Sequence, residues 1–143
     1  MLKNIPAILS PELLKILMEM GHADEIVIGD GNFPAESMGQ RVVRLDGHGV
    51  PEILDAIMQF FPLDQYDDGH AVLMEVVPGD TVETPIWDEY RKILKKREPG
   101  FAGLTNIERF SFYDRTKSAY AVIATGETAL YANIILKKGV VKD

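Results

Sequence analysis

The sequence contains no cysteine, which excludes several kinds of site at once. There can be no disulfide scaffold, no thiolate nucleophile and no zinc–thiolate centre, and such a composition is in keeping with a reducing cytoplasm. No apolar run approaches the ~18–20 residues that a membrane-spanning helix needs. The first residues contain Pro6 and Pro11 and have no small-residue cleavage site, unlike a signal peptide. We therefore expect a cytoplasmic protein without a membrane partner.

An excess of positive charge is also missing. The 143 residues include 15 Lys and Arg against 22 Asp and Glu, which gives a net charge of −7. Proteins that bind nucleic acid normally carry the opposite sign, because Lys and Arg neutralise the phosphates. Nucleic acid is therefore not an expected partner. The length and the 46% hydrophobic content predict one folded domain over residues 1–143.

Motifs for phosphate binding and serine hydrolysis are absent as well. The segments 29–31 and 47–49 each contain two glycines but lack the further glycines and the lysine of phosphate-binding loops. No Gly-x-Ser-x-Gly elbow is present. A metal site built from His22, Asp24 and Asp30 is conceivable, but this spacing matches no standard ligand set. We expect neither a metal nor a cofactor.

What is present is an alternation of helical and strand patterns. The patterns predict helices over residues 10–20, 51–61 and 84–97, a short helix over 114–118, a loop over 31–40, and strands over 25–29, 41–45, 71–77, 106–112, 120–125 and 131–137. Gly21 is expected to end the first helix in the left-handed conformation. The alternation predicts the α/β class: a three-layer α/β/α sandwich around a mixed, mostly parallel sheet.

Three histidines are available for acid–base chemistry. His22 and Asp30 flank a strand that spans roughly 17 Å, so they could meet only if the chain folded back after Gly21 or if two subunits shared a site. His22 could then exchange protons near neutral pH, or it could simply close the end of the first helix. His48 and His70 are interpreted as solvated turn residues.

Polar side chains in the last third of the chain suggest a ligand with oxygen atoms. Arg109 lies in a predicted strand, where it could form an ion pair or bind ligand oxygens. Tyr131 and Asn133 open the last predicted strand with their side chains on the same side. Such a phenol–amide pair suits sugar hydroxyls, but it could equally fasten a sheet edge.

Several segments, in their order and spacing, resemble the RbsD/FucU family, which comprises the L-fucose mutarotases and the D-ribose pyranases. They are Gly21-His22-x-Asp24, Asp30, Asn106-x-x-Arg109-Phe110-x-Phe112-Tyr113 and Tyr131-Ala132-Asn133-Ile134-Ile135-Leu136-Lys137-Lys138-Gly139-Val140. The likeness extends from Leu2 to Val140. Within the family, the chain looks most similar to the L-fucose mutarotase branch. The similarity lies in Phe33-Pro34-Ala35-x-Ser37-Met38-Gly39, in the Arg109-Phe110-x-Phe112-Tyr113 segment and in the Lys137-Lys138-Gly139-Val140 ending.

The resemblance implies the RbsD-like fold and an isomerase that interconverts the anomers of free monosaccharides without a cofactor. It implies His22 as proton donor, and Asp30, Arg109 and Tyr131-Ala132-Asn133 as sugar-binding positions. It also implies a homo-oligomer, a ring-shaped decamer with sites near subunit contacts, so that Tyr131 and Asn133 could serve a neighbour's pocket.

Two alternatives stay open at this point. Asn32 and Ala132 depart from the pattern of the fucose branch, where His and Gly are expected, and the Tyr-Ala-Asn-Ile-Ile-Leu ending is shared with the ribose pyranases. A D-ribose pyranase is therefore one alternative. A non-catalytic sugar-binding oligomer with the same fold is the other.

Overall fold

A computed structural model describes all residues from Met1 to Asp143. Five helices and six strands follow one another in the order α1 (Pro11–Glu19), β1 (Glu25–Gly29), α2 (Ala35–Met38), β2 (Val42–Leu45), α3 (Val50–Ile57), β3 (Ala71–Met74), α4 (Ile86–Arg97), β4 (Thr105–Ile107), α5 (Arg109–Ser118), β5 (Ala121–Thr125) and β6 (Ile134–Lys137). None of the helices is long and apolar enough to cross a membrane.

The six strands form one mixed sheet in the order β2-β5-β1-β6-β3-β4. Three neighbouring pairs are parallel, and β6 alone runs against the others, between β1 and β3. The prediction of a mixed, mostly parallel sheet is confirmed. The carboxyl ends of five strands therefore meet at one edge of the sheet, where open α/β sheets collect their ligands.

Helices cover both faces of the sheet, which makes the three predicted layers. On one face α1, α3 and α4 bury a core of 26 residues that includes Ile26, Ile28 and Ile123. On the other face α2 and α5 bury a second core of nine residues that includes Val27 and Phe112. Because both faces of β1 are buried, its sequence is a continuous apolar run rather than an alternating one.

The first helix forms as predicted, but the turn after it differs. Ser10 accepts a hydrogen bond from the N–H of Leu13 at 3.2 Å, and Pro11 occupies the first turn. Gly21 is not the left-handed residue; Ala23 is, with φ of 70°. The Ala23 N–H donates to the carbonyl of Lys138 at 2.8 Å, which ties this turn to the end of β6.

The segment from Asn106 to Phe112 is not one strand, which is the main correction to the predicted elements. β4 ends at Ile107 and α5 starts at Arg109, because the Glu108 carboxylate accepts from the N–H groups of Phe110 and Ser111 and caps a new helix. Arg109 therefore lies in the first turn of a helix and not in the predicted strand.

Two smaller corrections concern loops. Residues predicted as a loop at 31–40 include α2, one turn of helix over Ala35–Met38. The last strand begins at Ile134, not at Tyr131, because Tyr131 adopts a left-handed conformation with φ of 55°. Tyr131 and Asn133 therefore lie in the approach to β6 rather than in the strand.

Candidate active site

A pocket of about 310 Å³ lies at the carboxyl end of β1. Its walls consist of Asp30, Asn32, Phe33, Met74, Val77, Asp80, Arg109, Tyr113, Leu130, Tyr131 and Asn133. Four of the predicted site residues therefore lie around one pocket: Asp30, Arg109, Tyr131 and Asn133. A larger groove of about 680 Å³ runs along the N-terminal segment, but its lining offers only Ser10 and Lys15 as polar side chains, so the smaller pocket is the better chemical site.

Asp30 lies at the floor of the pocket and is only 7% exposed. Its carboxylate accepts hydrogen bonds from the N–H of Asn32 at 3.0 Å and of Ala132 at 3.4 Å. Its own N–H donates to Oδ1 of Asn133 at 2.7 Å, so the end of β1 and the approach to β6 are joined. Burial raises the pKa of Asp30, against the opposing effect of the backbone N–H groups around its carboxylate. The bonded Oδ1 leaves the amide nitrogen of Asn133 as a free donor.

The segment Tyr131-Ala132-Asn133 is held in place by α4. The indole N–H of Trp87 donates to the carbonyl of Tyr131 at 2.8 Å, and the hydroxyl of Tyr90 donates to the carbonyl of Ala132 at 2.7 Å. These bonds compensate for the left-handed conformation of Tyr131, which a non-glycine residue rarely adopts. Ala132 is fully buried and does not line the pocket; it contributes its backbone N–H to Asp30.

Arg109 reaches the pocket from the first turn of α5. Its guanidinium forms no ion pair and lies 4.6 Å from the centre of the Phe110 ring. An arginine without a carboxylate partner keeps all its N–H donors for a ligand's oxygens. The predicted ion pair is therefore not formed within this chain, and ligand binding by Arg109 stays a prediction.

His22 lies outside this pocket. It precedes β1 while Asp30 follows it, and the chain does not fold back to bring them together. Instead, Nε2 of His22 lies 3.0 Å from Oδ1 of Asp64, and the imidazole packs against the ring of Tyr66 with centroids 5.5 Å apart. The side chain of His22 is 44% exposed, whereas that of Asp64 is 4% exposed.

The pairing with Asp64 determines which nitrogen of His22 can exchange a proton. Burial raises the pKa of Asp64, but the N–H of Tyr66, His22 and the charge of Lys137 outweigh it, so the pKa lies below the usual value. An ionised carboxylate only accepts hydrogen bonds, so Nε2 of His22 carries its proton. Nδ1 is left as the nitrogen that can gain or lose a proton.

His70 is not the solvated turn residue that the sequence predicts. It is 2% exposed, its Nδ1 lies 2.8 Å from the carbonyl oxygen of Asp64, and its Nε2 accepts from the N–H of Ala102 at 3.1 Å. The ring is therefore neutral, with the proton on Nδ1, and it supports Asp64 from beneath. His48 is half-exposed beside Glu52, as expected of a solvated turn residue.

Sequence reasoning missed three residues that contribute to the pocket or to the contacts of His22. Asp64 was not singled out, since nothing in its local sequence indicates that it meets His22, 42 positions earlier. Tyr113 lay in the recognised motif without a role, and it lines the pocket beside Phe33. Asp80 belongs to none of the recognised motifs, and it accepts from the hydroxyl of Tyr131 at 2.7 Å.

The model of the RbsD / FucU transport protein family matches residues 3–141. The fucose mutarotase of Homo sapiens is 52% identical over 145 residues, which cover 97% of this chain and 94% of that protein. The crystal structure of FucU from Bifidobacterium longum superposes with a TM-score of 0.95 at 59% identity, covering 98% of this chain and 100% of the other.

The crystal structure of the fucose mutarotase from Streptococcus pneumoniae in complex with L-fucose superposes with a TM-score of 0.92. The identity is 50%, and the match covers 99% of this chain and 100% of the other. Agreement in sequence and in fold over the whole chain leaves one conclusion. The chain belongs to the RbsD/FucU family.

Proposed function

We propose that this protein is an L-fucose mutarotase, an isomerase that interconverts the α and β anomers of free L-fucose. The observation that carries the proposal is the pocket formed by Asp30, Arg109, Tyr131 and Asn133, in a chain that is 50% identical to an enzyme solved with L-fucose. Acceptors and donors converge there on a space of about 310 Å³, which fits a ligand rich in hydroxyl groups.

The reaction requires proton transfer and no redox step. A general acid protonates the ring oxygen while a base removes the proton of the anomeric hydroxyl, so the C1–O5 bond breaks and the open aldehyde forms. Rotation about C1–C2 and the reverse proton transfers close the ring on the other face. The reaction calls for neither a metal nor a cofactor.

His22 is the proposed proton donor, acting through Nδ1. Asp64 accepts from Nε2 and stabilises the charged imidazolium, so the ring can hold the proton that the ring oxygen receives. Because His22 and Asp30 lie at opposite ends of β1, His22 cannot serve its own pocket. We propose that His22 of a neighbouring copy completes each site, with 44% of its side chain exposed for this contact.

The pocket residues then position the sugar. Asp30 accepts from a hydroxyl, Arg109 and the amide nitrogen of Asn133 donate to sugar oxygens, and Ala132 holds Asp30 through its backbone. Orientation of this kind places the anomeric centre against the acid and removes the entropy cost of finding it.

Saturation-difference proton NMR on L-fucose and D-ribose tests the proposal. Irradiation of one anomeric proton of L-fucose should diminish the signal of the other anomer only when protein is present. His22→Ala should lose at least ~100-fold of the acceleration, because general acid catalysis contributes about 10²–10⁴-fold. His48→Ala is the matched control and should keep the acceleration, since His48 pairs with Glu52 and has no role in the proposed proton transfer.

Each other outcome has a defined meaning. Accelerated pyranose–furanose exchange of D-ribose alone would replace the assignment with a D-ribose pyranase. No acceleration for either sugar by an assembled protein would leave a non-catalytic sugar-binding oligomer. Full activity of His22→Ala would refute the proton-donor assignment alone.

We further propose that the protein is a cytoplasmic homo-oligomer, in the form of a ring-shaped decamer. The location rests on the cysteine-free sequence. The assembly rests on the resemblance and on the separation of His22 from the pocket in one chain. Native mass spectrometry at activity-assay concentrations should give a mass ten times the 16.0 kDa of one chain.

A further inference from the structure

Asp80 lies at the mouth of the pocket, in the loop between β3 and α4, and its carboxylate reaches across to Tyr131. The hydroxyl of Tyr131 donates to Oδ2 of Asp80 at 2.7 Å. The other carboxylate oxygen accepts from the N–H of Val82 at 3.3 Å, which steadies the side chain within its own loop. The pair is separated by 51 positions in sequence, so only the fold brings it together.

The bond to Asp80 determines what Tyr131 can offer a ligand. A phenol can donate one hydrogen bond, and here Tyr131 donates it to Asp80. The same interaction raises the pKa of Tyr131. The N–H of Val77 approaches the phenolic oxygen at 3.4 Å and uses part of its accepting capacity. Toward the pocket, Tyr131 therefore presents only an acceptor.

We propose that Asp80 is a positioning residue that sets substrate specificity, by keeping Tyr131 as a pure hydrogen-bond acceptor for one hydroxyl group of the sugar. The inference rests on the proposed function and deepens it. An acceptor can bind a hydroxyl but not an ether or carbonyl oxygen. Tyr131 consequently faces a sugar hydroxyl and not the ring oxygen, which stays accessible to the acid.

The phenolic oxygen of Tyr131 differs from the other polar groups of the pocket. Arg109 and the amide nitrogen of Asn133 are donors, whereas Asp30 is an acceptor whose two oxygens already take backbone N–H groups. Without Asp80, the phenol of Tyr131 could rotate and donate. The site would then tolerate an acceptor at a position where the intact enzyme requires an O–H group.

The test compares L-fucose with its monodeoxy and monodeoxyfluoro analogues in anomer-exchange NMR, using the assembled enzyme. At the position that faces Tyr131, both analogues should lose about tenfold in kcat/KM, because neither can donate a hydrogen bond and 1.4 kcal/mol corresponds to tenfold. In Asp80→Ala the deoxyfluoro analogue should regain most of its lost kcat/KM relative to L-fucose, because the freed phenol can donate to fluorine. The deoxy analogue has no acceptor at that position, so its kcat/KM relative to L-fucose should not recover.

Further variants separate this role from a structural one. Asp80→Ala should raise KM for L-fucose about tenfold with little change in kcat, because the Tyr131 contact is made in the ground state and in the transition state alike. In the Tyr131→Phe background the same substitution should add almost nothing. Asp88→Ala, an exposed aspartate paired with Arg91 on α4, is the matched control and should match the parent enzyme.

Two results would overturn the inference while the proposed function stands. One is an enzyme in which Asp80→Ala leaves KM and the analogue pattern unchanged. The other is a loss that is equally large with and without the phenol of Tyr131. If the parent protein accelerates no sugar at all, the proposed function fails first and this inference fails with it.

Discussion

At the residue scale, His70 and His22 differ in role: His70 stabilises the fold, whereas His22 is the proposed proton donor. Its two ring nitrogens are used by the carbonyl of Asp64 and the N–H of Ala102, and its ring stacks on Phe101 with centroids 5.8 Å apart. The neutral tautomer is therefore built into the fold. Through Asp64, it supports the carboxylate that holds His22.

His70→Leu should lower the free energy of unfolding by about 1–3 kcal/mol, because the interior carbonyl of Asp64 loses its donor. Urea denaturation followed by circular dichroism measures the change. His48→Leu, at an exposed position, should stay within about 0.5 kcal/mol of the parent. Equal effects of the two substitutions would show that the hydrogen bonds of His70 contribute nothing.

Asp30 is the residue whose charge should govern activity on the acid side. Burial raises its pKa above the ordinary value of 3.8, so protonation begins at a higher pH than for an exposed aspartate. For stability the sign is the reverse of an ion-paired aspartate: the contribution of Asp30 is largest at low pH and is lost as the pH rises through its folded pKa.

The pH profile of kcat/KM should therefore fall on its acid limb at a pH above 3.8, because protonated Asp30 no longer accepts freely from the sugar. Asp30→Asn should be slower throughout and should lack this limb. Anomer-exchange NMR in buffers of stepped pH measures both. If kcat/KM of Asp30→Asn fell at the same acidic pH as that of the parent enzyme, the fall would be due to another group.

At the scale of elements, two helices near the site are capped by glutamates in different ways. Glu108 caps α5 within its own sequence and sets Arg109 in the first turn. Glu127 caps α3 from a distance: its Oε1 accepts from the N–H of Val50 at 3.1 Å, across 77 positions. Its Oε2 accepts from the N–H of Ala129 at 3.1 Å, in the loop that leads to Tyr131.

Glu127→Ala should cost about 1 kcal/mol of unfolding free energy, the usual effect of losing a helix cap. Glu127→Gln should cost less, because its amide oxygen still accepts one N–H. Thermal or urea unfolding measures the series, with the exposed Glu83→Ala as a control within about 0.5 kcal/mol. A loss in Glu83→Ala as large as that in Glu127→Ala would argue against the capping role.

At the scale of the whole molecule, the separation of His22 from Asp30 leads to a prediction about assembly. If each site combines the pocket of one copy with His22 of another, two inactive variants should complement each other. His22→Ala and Asp30→Ala, refolded together in equal amounts, should recover about a quarter of the activity per chain, since half of the pockets and half of the histidines are intact.

The control is each variant refolded alone, which should remain inactive. Activity of the mixture is followed by anomer-exchange NMR after co-assembly is verified by native mass spectrometry. An inactive mixture of co-assembled variants would place both residues in the site of a single chain and contradict the shared-site proposal.

The sequence by itself determined the elements whose signals are local. Ser10, Pro11 and the apolar spacing that follows predicted α1, and the apolar run over Glu25–Gly29 predicted β1. The alternation of these signals also predicted the layers and the mixed sheet. The order and spacing of the motifs indicated the family, and the family match over residues 3–141 confirms it.

Local pattern was insufficient where two structures compete for the same residues. The stretch around Arg109 alternates as a strand does, yet the carboxylate of Glu108 satisfies two N–H groups and starts α5. Tyr131 lies in a run with high strand propensity, but the bond from Trp87 holds it in the left-handed conformation.

Only the tertiary structure decided the partners of the site residues. His22 meets Asp64, Tyr131 meets Asp80 and Asp30 meets Asn133, across 42, 51 and 103 positions. The physical reason is that the amino-acid type alone fixes how many hydrogen bonds a side chain can donate and accept. Which partner it meets depends on the order of the strands in the sheet. In this chain β6 enters between β1 and β3, which brings Asn133 against Asp30 and leaves His22 at the other end.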